Sequence, residues 1–551
     1  MMKGLVQLGM KKDTLLKGTI ILASAALIAR VLGVAQRIPL KHLLGDTGMA
    51  TYGIAYNVYF VLLMIATAGI PSALSKLISE RMELGHIEEA KRVYRAAIGF
   101  AIGAGAFMTV VLYVGAPFYA GINGDPNSTL AVRALAPALL LFPAIAIMRG
   151  YFQGLQFMLA GGMSQIVEQF ARVITAVFLA YLALELGYGQ QWAVAGASFG
   201  GVMGSISAFG VMLWFSRRLK LSDRIAVGTA SSLPVREVNK EKRIMSLLQT
   251  YKLIFVNSIP ITLAALSVPL INLIDSSTVI PLLKGDIGFD EAWISLGLLS
   301  GRAQSLAGIP IILAIAVSQS VLPIISSAHA RRDHEEVGRR ASQVIWLSII
   351  IGLGIVLTMI TAARPLNGFI FADTKGTDII MILTAASMLQ IVMMTTTSIL
   401  YGIGKMKVAA AHVYIGIAVK VASLFLLAPV IGMYGVLIST LLCFVVITVL
   451  NLVAVRRSMN IVVLGRRWIG LITAVIISLC VGFGTDWIVK SYLTGFTRIL
   501  DFMLQAIIVG SLCGITYMAL LFVFSVIRQQ EVVLLPGPLR TISKKFVRGK
   551  G

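Results

Sequence analysis

The sequence predicts an all-α polytopic membrane protein of fourteen transmembrane helices, built as two six-helix lobes of parallel repeat plus two C-terminal helices. Three observations carry that expectation. First, 58% of the 551 residues are hydrophobic and only 13% are charged, with a mean hydropathy of +0.89, far from the balance of a soluble domain. Second, the apolar residues gather into runs long enough to cross the hydrocarbon core, roughly 30 Å thick, which takes about 20 helical residues. Barrel strands are about half that length, so only helices fit. Third, the basic residues alternate between connections. Thirty-three of the 47 lie in the two tails and the even-numbered connections, six in the odd-numbered ones and eight within spans. That is the positive-inside pattern, and it puts both termini in the cytoplasm. It also accounts for a net charge of +23, which in a soluble chain would suggest nucleic acid; no nucleic-acid partner is expected.

Taken in order, the runs cover residues 15–40, 49–75, 96–119, 130–155, 161–186, 192–216, 248–280, 291–326, 342–363, 376–402, 408–430, 432–455, 468–489 and 499–527. The first has no small-residue cleavage site behind it and reads as a retained span rather than a signal peptide. In the second, Gly69-Ile70-Pro71 interrupts the helix, and in the eighth the Gly308-x-Pro310 pair invites a bend. Cys443, Cys480 and Cys513 sit inside apolar runs with neither disulfide nor metal-ligand spacing.

The chain repeats itself at an offset of 248 residues: Pro117 matches Pro365, Gly154 matches Gly402, Arg172 matches Lys420, and Glu88-Glu89 match Glu335-Glu336 within one residue. Six spans return the chain to the same side, so the two copies are parallel. The expected organisation is an N-lobe over 1–216, an inter-lobe linker over 217–247 and a C-lobe over 248–457. Two further spans follow over 458–527, and a basic tail over 528–551. Lys240 to Gln249 reads as an amphipathic helix on the membrane surface or as a flexible tether. Two-lobed repeats are the architecture of alternating-access transporters, whose substrate site lies at the lobe interface.

No P-loop, GxSxG or HExxH stands in the sequence, and nothing predicts an enzyme. The intramembrane charges are the chemical signal, because a charge at mid-membrane costs at least about 2.5 kcal/mol. Arg30 and Arg37 share a face of the first span, two helical turns apart. Arg302 lies in the eighth. Arg133, Arg149 and Lys252 stand near span ends, where they can snorkel. Glu168 and Arg172 are spaced i,i+4 as an ion pair, and with Lys420 they form a candidate gating or pairing set. Arg30, Arg37 and Arg302 have no evident partner in the sequence. Excess deep positive charge points to an anionic cargo, and the guanidinium fork suits phosphate. Asp275 is a candidate Na⁺ or H⁺ coupling site, with Ser439 and Thr440 as further oxygens, or else it pairs with an arginine. The five histidines read as solvated or interfacial. No resident cofactor is expected.

IARVLGVAQR in the first span and GDTGMATYGIAYNVYFVLLMIATAGIPSALSKLISE running into the second carry a resemblance. So do MSQIVEQFARV in the fifth and SGRAQSLAGIP around Arg302. They resemble the lipid II flippases of the multidrug/oligosaccharidyl-lipid/polysaccharide exporter superfamily, in the Gram-positive branch that includes the stage V sporulation protein B relatives. The resemblance covers essentially the whole chain. It implies a V-shaped, two-lobed transporter of the plasma membrane that moves lipid-linked peptidoglycan precursor from the inner to the outer leaflet. Arg30 and Arg302 match cavity arginines that hold the diphosphate in that family. The second arginine of the first-span motif falls at Gln36, and Arg37 stands one place later, about 100° further round the helix. Asp275 matches the family's sodium-site acid. The expected partners are a lipid-linked diphosphate oligosaccharide, lipid II first among them, and the cell-wall synthesis machinery. A flippase for another polyprenyl-linked oligosaccharide, a cation-coupled multidrug exporter and a non-transport scaffold stay open as alternatives.

Overall fold

Apolar composition and helix propensity select long helices throughout the computed structural model. It describes residues 15–67, 69–83, 86–229, 265–312, 333–492 and 497–527, and the single positions 256, 258, 259, 262, 263, 325, 326 and 329. No strand occurs among the described residues. Eleven of their helices are long and apolar enough to cross a membrane. The chain divides into two compact units, Met1–Gly285 and Asp286–Gly551.

The first unit begins with α1, Leu15–Thr67. Its apolar stretch, Ser24–Thr67, has 44 residues, about 66 Å of helix at 1.5 Å per residue and twice the hydrocarbon thickness. It does not run straight. Gly45 has φ 67° and ψ −173°, a conformation that costs a side-chain-bearing residue dearly. The break divides α1 into two arms, which supply the first two predicted spans. A second break follows as predicted. α1 stops at Thr67, and α2, Ile70–Glu83, starts with Pro71 in its first turn. Gly69 has no room for a side chain there, since an added Cβ would lie 2.2 Å from the Ser258 carbonyl oxygen.

α3 (Ile87–Ile122), α4 (Ser128–Leu135), α5 (Ala138–Gly154), α6 (Met158–Glu185) and α7 (Gln190–Thr229) complete the bundle, joined by α8 (Ser267–Ile287). α6 and α7 touch closely. Gly196, Gly200 and Gly204 recur every four residues, and each added Cβ would meet α6 backbone within 3.1 Å. That small-residue stripe sets the α6–α7 distance. α7 continues thirteen residues beyond the predicted span end at 216, and Arg218 stacks on Trp214 at 4.2 Å on the way. The rest of the predicted linker, including the surface helix at Lys240 to Gln249, lies outside the described residues, as do Lys252 and the tail over 528–551.

In the second unit, α9 (Phe289–Gly297) runs into a π-helical segment, Leu298–Ala303. The distortion thus lies before Gly308-x-Pro310, which sits within continuous helix over 304–312. α10 (His334–Thr361), α11 (Ala363–Phe371), α12 (Thr377–Gly402), α13 (Met406–Ile431) and α14 (Met433–Ser458) follow. α15 (Trp468–Tyr492) and α16 (Arg498–Val523) close the chain. These last two helices dock on α10 and α11. Tyr517 Oη donates to the Ile350 carbonyl at 3.1 Å. Arg364 reaches Asp486 at 3.4 Å and Gln505 at 3.1 Å. Cys443 and Cys513 are buried and Cys480 is exposed, all three as free thiols.

The 248-residue offset is visible in the backbone. α6 starts at Met158 and α13 at Met406; α5 ends at Gly154 and α12 at Gly402. Left-handed residues recur at the same offset, Gly124 with Ala372 and Gln156 with Gly404. Ala372 and Gln156 hold this conformation without being glycine, at a cost of order 1 kcal/mol each. Two turns are therefore kept in both copies whichever residue occupies them.

Candidate functional site

The bend at Gly45 brings Arg37 of the first arm of α1 beside the tyrosines of the second. Arg37 is half-buried, with Tyr56, Tyr52 and Arg30 as its charge neighbours. Arg30 is exposed and makes no ion pair with a carboxylate among the described residues. Gln36, at the family's second arginine position, is only 4% exposed. The one-residue shift thus leaves the amide in the packed face and the guanidinium beside the tyrosines.

α5 and α6 add the second half of the site. Glu168 accepts from Arg172 Nη2 at 2.7 Å, the predicted i,i+4 pair, and from Arg149 Nη2 at 2.8 Å. Arg149 was expected to snorkel. It turns inward instead, with Ser164 Oγ 2.8 Å from its Nη2, because a carboxylate and a hydroxyl on α6 face the C-terminal turn of α5. Arg172 also stacks over Phe142 at 5.8 Å, and its Nε is buried with no hydrogen-bond partner among the described residues. The first unit therefore holds two guanidiniums, from Arg149 and Arg172, on the carboxylate of Glu168.

Arg302 lies elsewhere, in the second unit, and its environment corrects the expectation that it has no partner. It is fully buried. Its Nη1 and Nη2 grip both Asp373 oxygens, the second at 2.8 Å, and its guanidinium lies over Phe371 at 5.7 Å. The π-helical turn presents the side chain to the loop after α11. Asp373 is 71 residues away along the chain, beyond any helical spacing. Lys420 is fully buried too, and its Nζ donates to Thr440 Oγ1 at 2.6 Å. Thr440 thus serves an ammonium, where it was expected to offer its oxygen to a cation at Asp275. Ser439 Oγ donates to the Val436 carbonyl at 2.7 Å. Asp275 is buried on α8 at 4% exposure, and no group of three or more His, Cys, Asp or Glu gathers as a metal cluster among the described residues. His412, on α13 and partly exposed, is hydrogen-bonded to Asn451 at 2.9 Å.

Sequence reasoning missed three things here: Asp373, the inward turn of Arg149, and the aromatic row Tyr52, Tyr56 and Phe60. Only the row had a local signal, its four-residue spacing.

A chain of many long apolar helices has the build of a multi-pass membrane protein, and comparison with known proteins places it among membrane transporters. The chain belongs to the polysaccharide biosynthesis protein family, whose sequence profile matches residues 15–329. It is 25% identical over 526 residues to the uncharacterized membrane protein YabM of Bacillus subtilis (strain 168), covering 95% of this chain and 94% of that one. It is 25% identical over 468 residues to the lipid II flippase MurJ of the same organism, covering 80% and 82%. Its fold matches a lipid II flippase MurJ in an inward closed conformation with a TM-score of 0.65 at 15% identity, over 92% of this chain and 100% of that one.

Proposed function

We propose that this chain is a flippase for a polyprenyl-diphosphate-linked oligosaccharide, with the peptidoglycan precursor lipid II as the leading cargo. The observation that carries the reading is Arg30, an exposed guanidinium beside Arg37 with no carboxylate paired to it among the described residues. Two adjacent like charges in a membrane segment repel each other and call for an anion. A diphosphate supplies one, with oxygens spaced for paired guanidinium donors. The prenyl tail stays in the bilayer while the headgroup crosses. The fourteen-span count, cytoplasmic termini, parallel lobes and alternating access go with this reading. Arg302, gripped by Asp373, is a positioning group here, and Arg30 and Arg37 take the diphosphate. A pump for cationic drugs would be poorly served by such a site, which repels its cargo.

The test is rescue of a flippase-depleted bacterial strain. Arg30→Glu should abolish rescue while the protein still accumulates in the membrane. Arg30→Lys should retain part of it. Full rescue by Arg30→Glu would overturn the anion-site reading.

A further inference from the structure

Aromatic rings stand beside these arginines. Tyr52, Tyr56 and Phe60 recur every four residues on the second arm of α1 and so share one helix face. The Tyr56 ring lies 6.0 Å from Tyr52 and 5.8 Å from Phe60, with interplanar angles of 20° and 14°. Tyr52 is buried, whereas Tyr56 and Phe60 keep part of their surface open. Tyr56 makes no hydrogen bond among the described residues. Arg37 and Arg172 are both charge neighbours of the Tyr52–Tyr56 pair. Next to Tyr56, at 6.1 Å between ring centroids, is Tyr59. Tyr59 is 1% exposed, and its Oη has no partner among the described residues.

Aromatic pairs favour offset-stacked or edge-to-face contacts, and a buried tyrosine hydroxyl usually finds a partner. Tyr59 and Phe142 meet edge to face, at 67°, and the Tyr52 hydroxyl is bonded to Gln36, but Tyr56 is left partly open with its hydroxyl unbonded among the described residues. The row is a run of near-parallel rings, partly open, with spare donors around it. A pyranose ring has a matching surface. One face is a patch of C–H groups, attracted to the negative face of an aromatic ring, and its edge carries hydroxyls that need polar partners.

We propose that the Tyr52–Tyr56–Phe60 row is a sugar platform, on which the first sugar after the diphosphate lies against Tyr56 while Arg30 and Arg37 hold the phosphates. This rests on the diphosphate reading above and deepens it, because it makes the site selective for glycosylated over bare prenyl diphosphate.

The experiment is binding to the purified full chain in detergent. One probe is farnesyl diphosphate; the other is the same prenyl chain joined through diphosphate to N-acetylglucosamine. Tyr56→Ala should weaken the sugar-bearing probe about ten-fold, the loss of one stacking contact, and the bare diphosphate less than about two-fold. Tyr56→Phe, which keeps the ring, should bind both as the parent does, and thermal unfolding of each variant checks its fold. Arg30→Gln combined with Arg37→Gln should weaken both probes. Equal weakening of both probes by Tyr56→Ala, or weakening of neither, overturns the platform and leaves the diphosphate site standing. If the parent protein binds neither probe, the diphosphate reading itself falls and the platform goes with it.

Discussion

The same turn is built twice in this protein and serves two different purposes. In the first unit Gly124 is left-handed, and Asp125 accepts from the Asn127 backbone N–H at 3.1 Å. In the second, 248 residues later, Ala372 is left-handed, and Asp373 accepts from the Lys375 N–H at 2.8 Å. The carboxylates occupy equivalent places, but their partners differ. Asp125 is fully buried and takes the Thr51 hydroxyl at 2.6 Å. Asp373 takes the Arg302 guanidinium with both oxygens. The second copy thus neutralises a deep arginine. The first uses its acid on a neutral donor. Repetition preserves the turn and the acid, while the partner of the acid differs between the copies.

The largest expected effect tests the charged copy. Asp373→Asn leaves a fully buried guanidinium without its counter-charge, which costs about 3 kcal/mol, at the low end for a broken buried pair because Asp373 is partly exposed to water. Thermal unfolding of the purified protein should show a clear drop. A change below about 0.5 kcal/mol would place this pair among surface ion pairs and break the contrast.

A smaller effect is expected in the neutral copy. Thr51→Val keeps the shape and removes the hydroxyl, leaving a buried carboxylate oxygen short of a donor at about 1–3 kcal/mol. A loss as large as that of Asp373→Asn would mean that the two turns are energetically alike.

The smallest effect is a pH dependence. Burial pushes the Asp125 carboxyl above the usual aspartate range, while the Thr51 and backbone hydrogen bonds pull it down. A raised acid binds its proton more tightly folded than unfolded. Its contribution to stability is therefore greatest below the ordinary aspartate value and is lost as pH rises through the raised one. Melting curves across the acidic range should show this slope, and Asp125→Asn should remove it. Thr51→Val should move its upper edge to higher pH, since a downward pull is gone. A slope unchanged in Asp125→Asn would assign it to another group.

Much of the fold was legible because hydrophobicity and helical spacing are local. The Glu168–Arg172 pair was legible for the same reason, since four residues bring two side chains onto one helix face. The recurrence of Gly154 at Gly402 marks two helix ends in the sequence itself. Arg302 shows where such reasoning stops. Its counter-charge comes from a loop that no spacing links to it, and the turn was recognisable as a repeat only from its left-handed backbone. Arg149 stopped it too, since its place near a span end suited a route to the interface as well as one to Glu168.

From the sequence alone came the helical membrane class, the break at Gly69 and Pro71, the repeat, and an excess of deep positive charge. These depend on composition and on contacts within a few residues, which the covalent chain itself enforces. Only the tertiary structure decided that Arg149, Arg172 and Arg302 pair with carboxylates and that Arg37 stands beside tyrosines. Ion pairing falls off within a few ångströms in space, and those ångströms are set by helix packing across tens of residues.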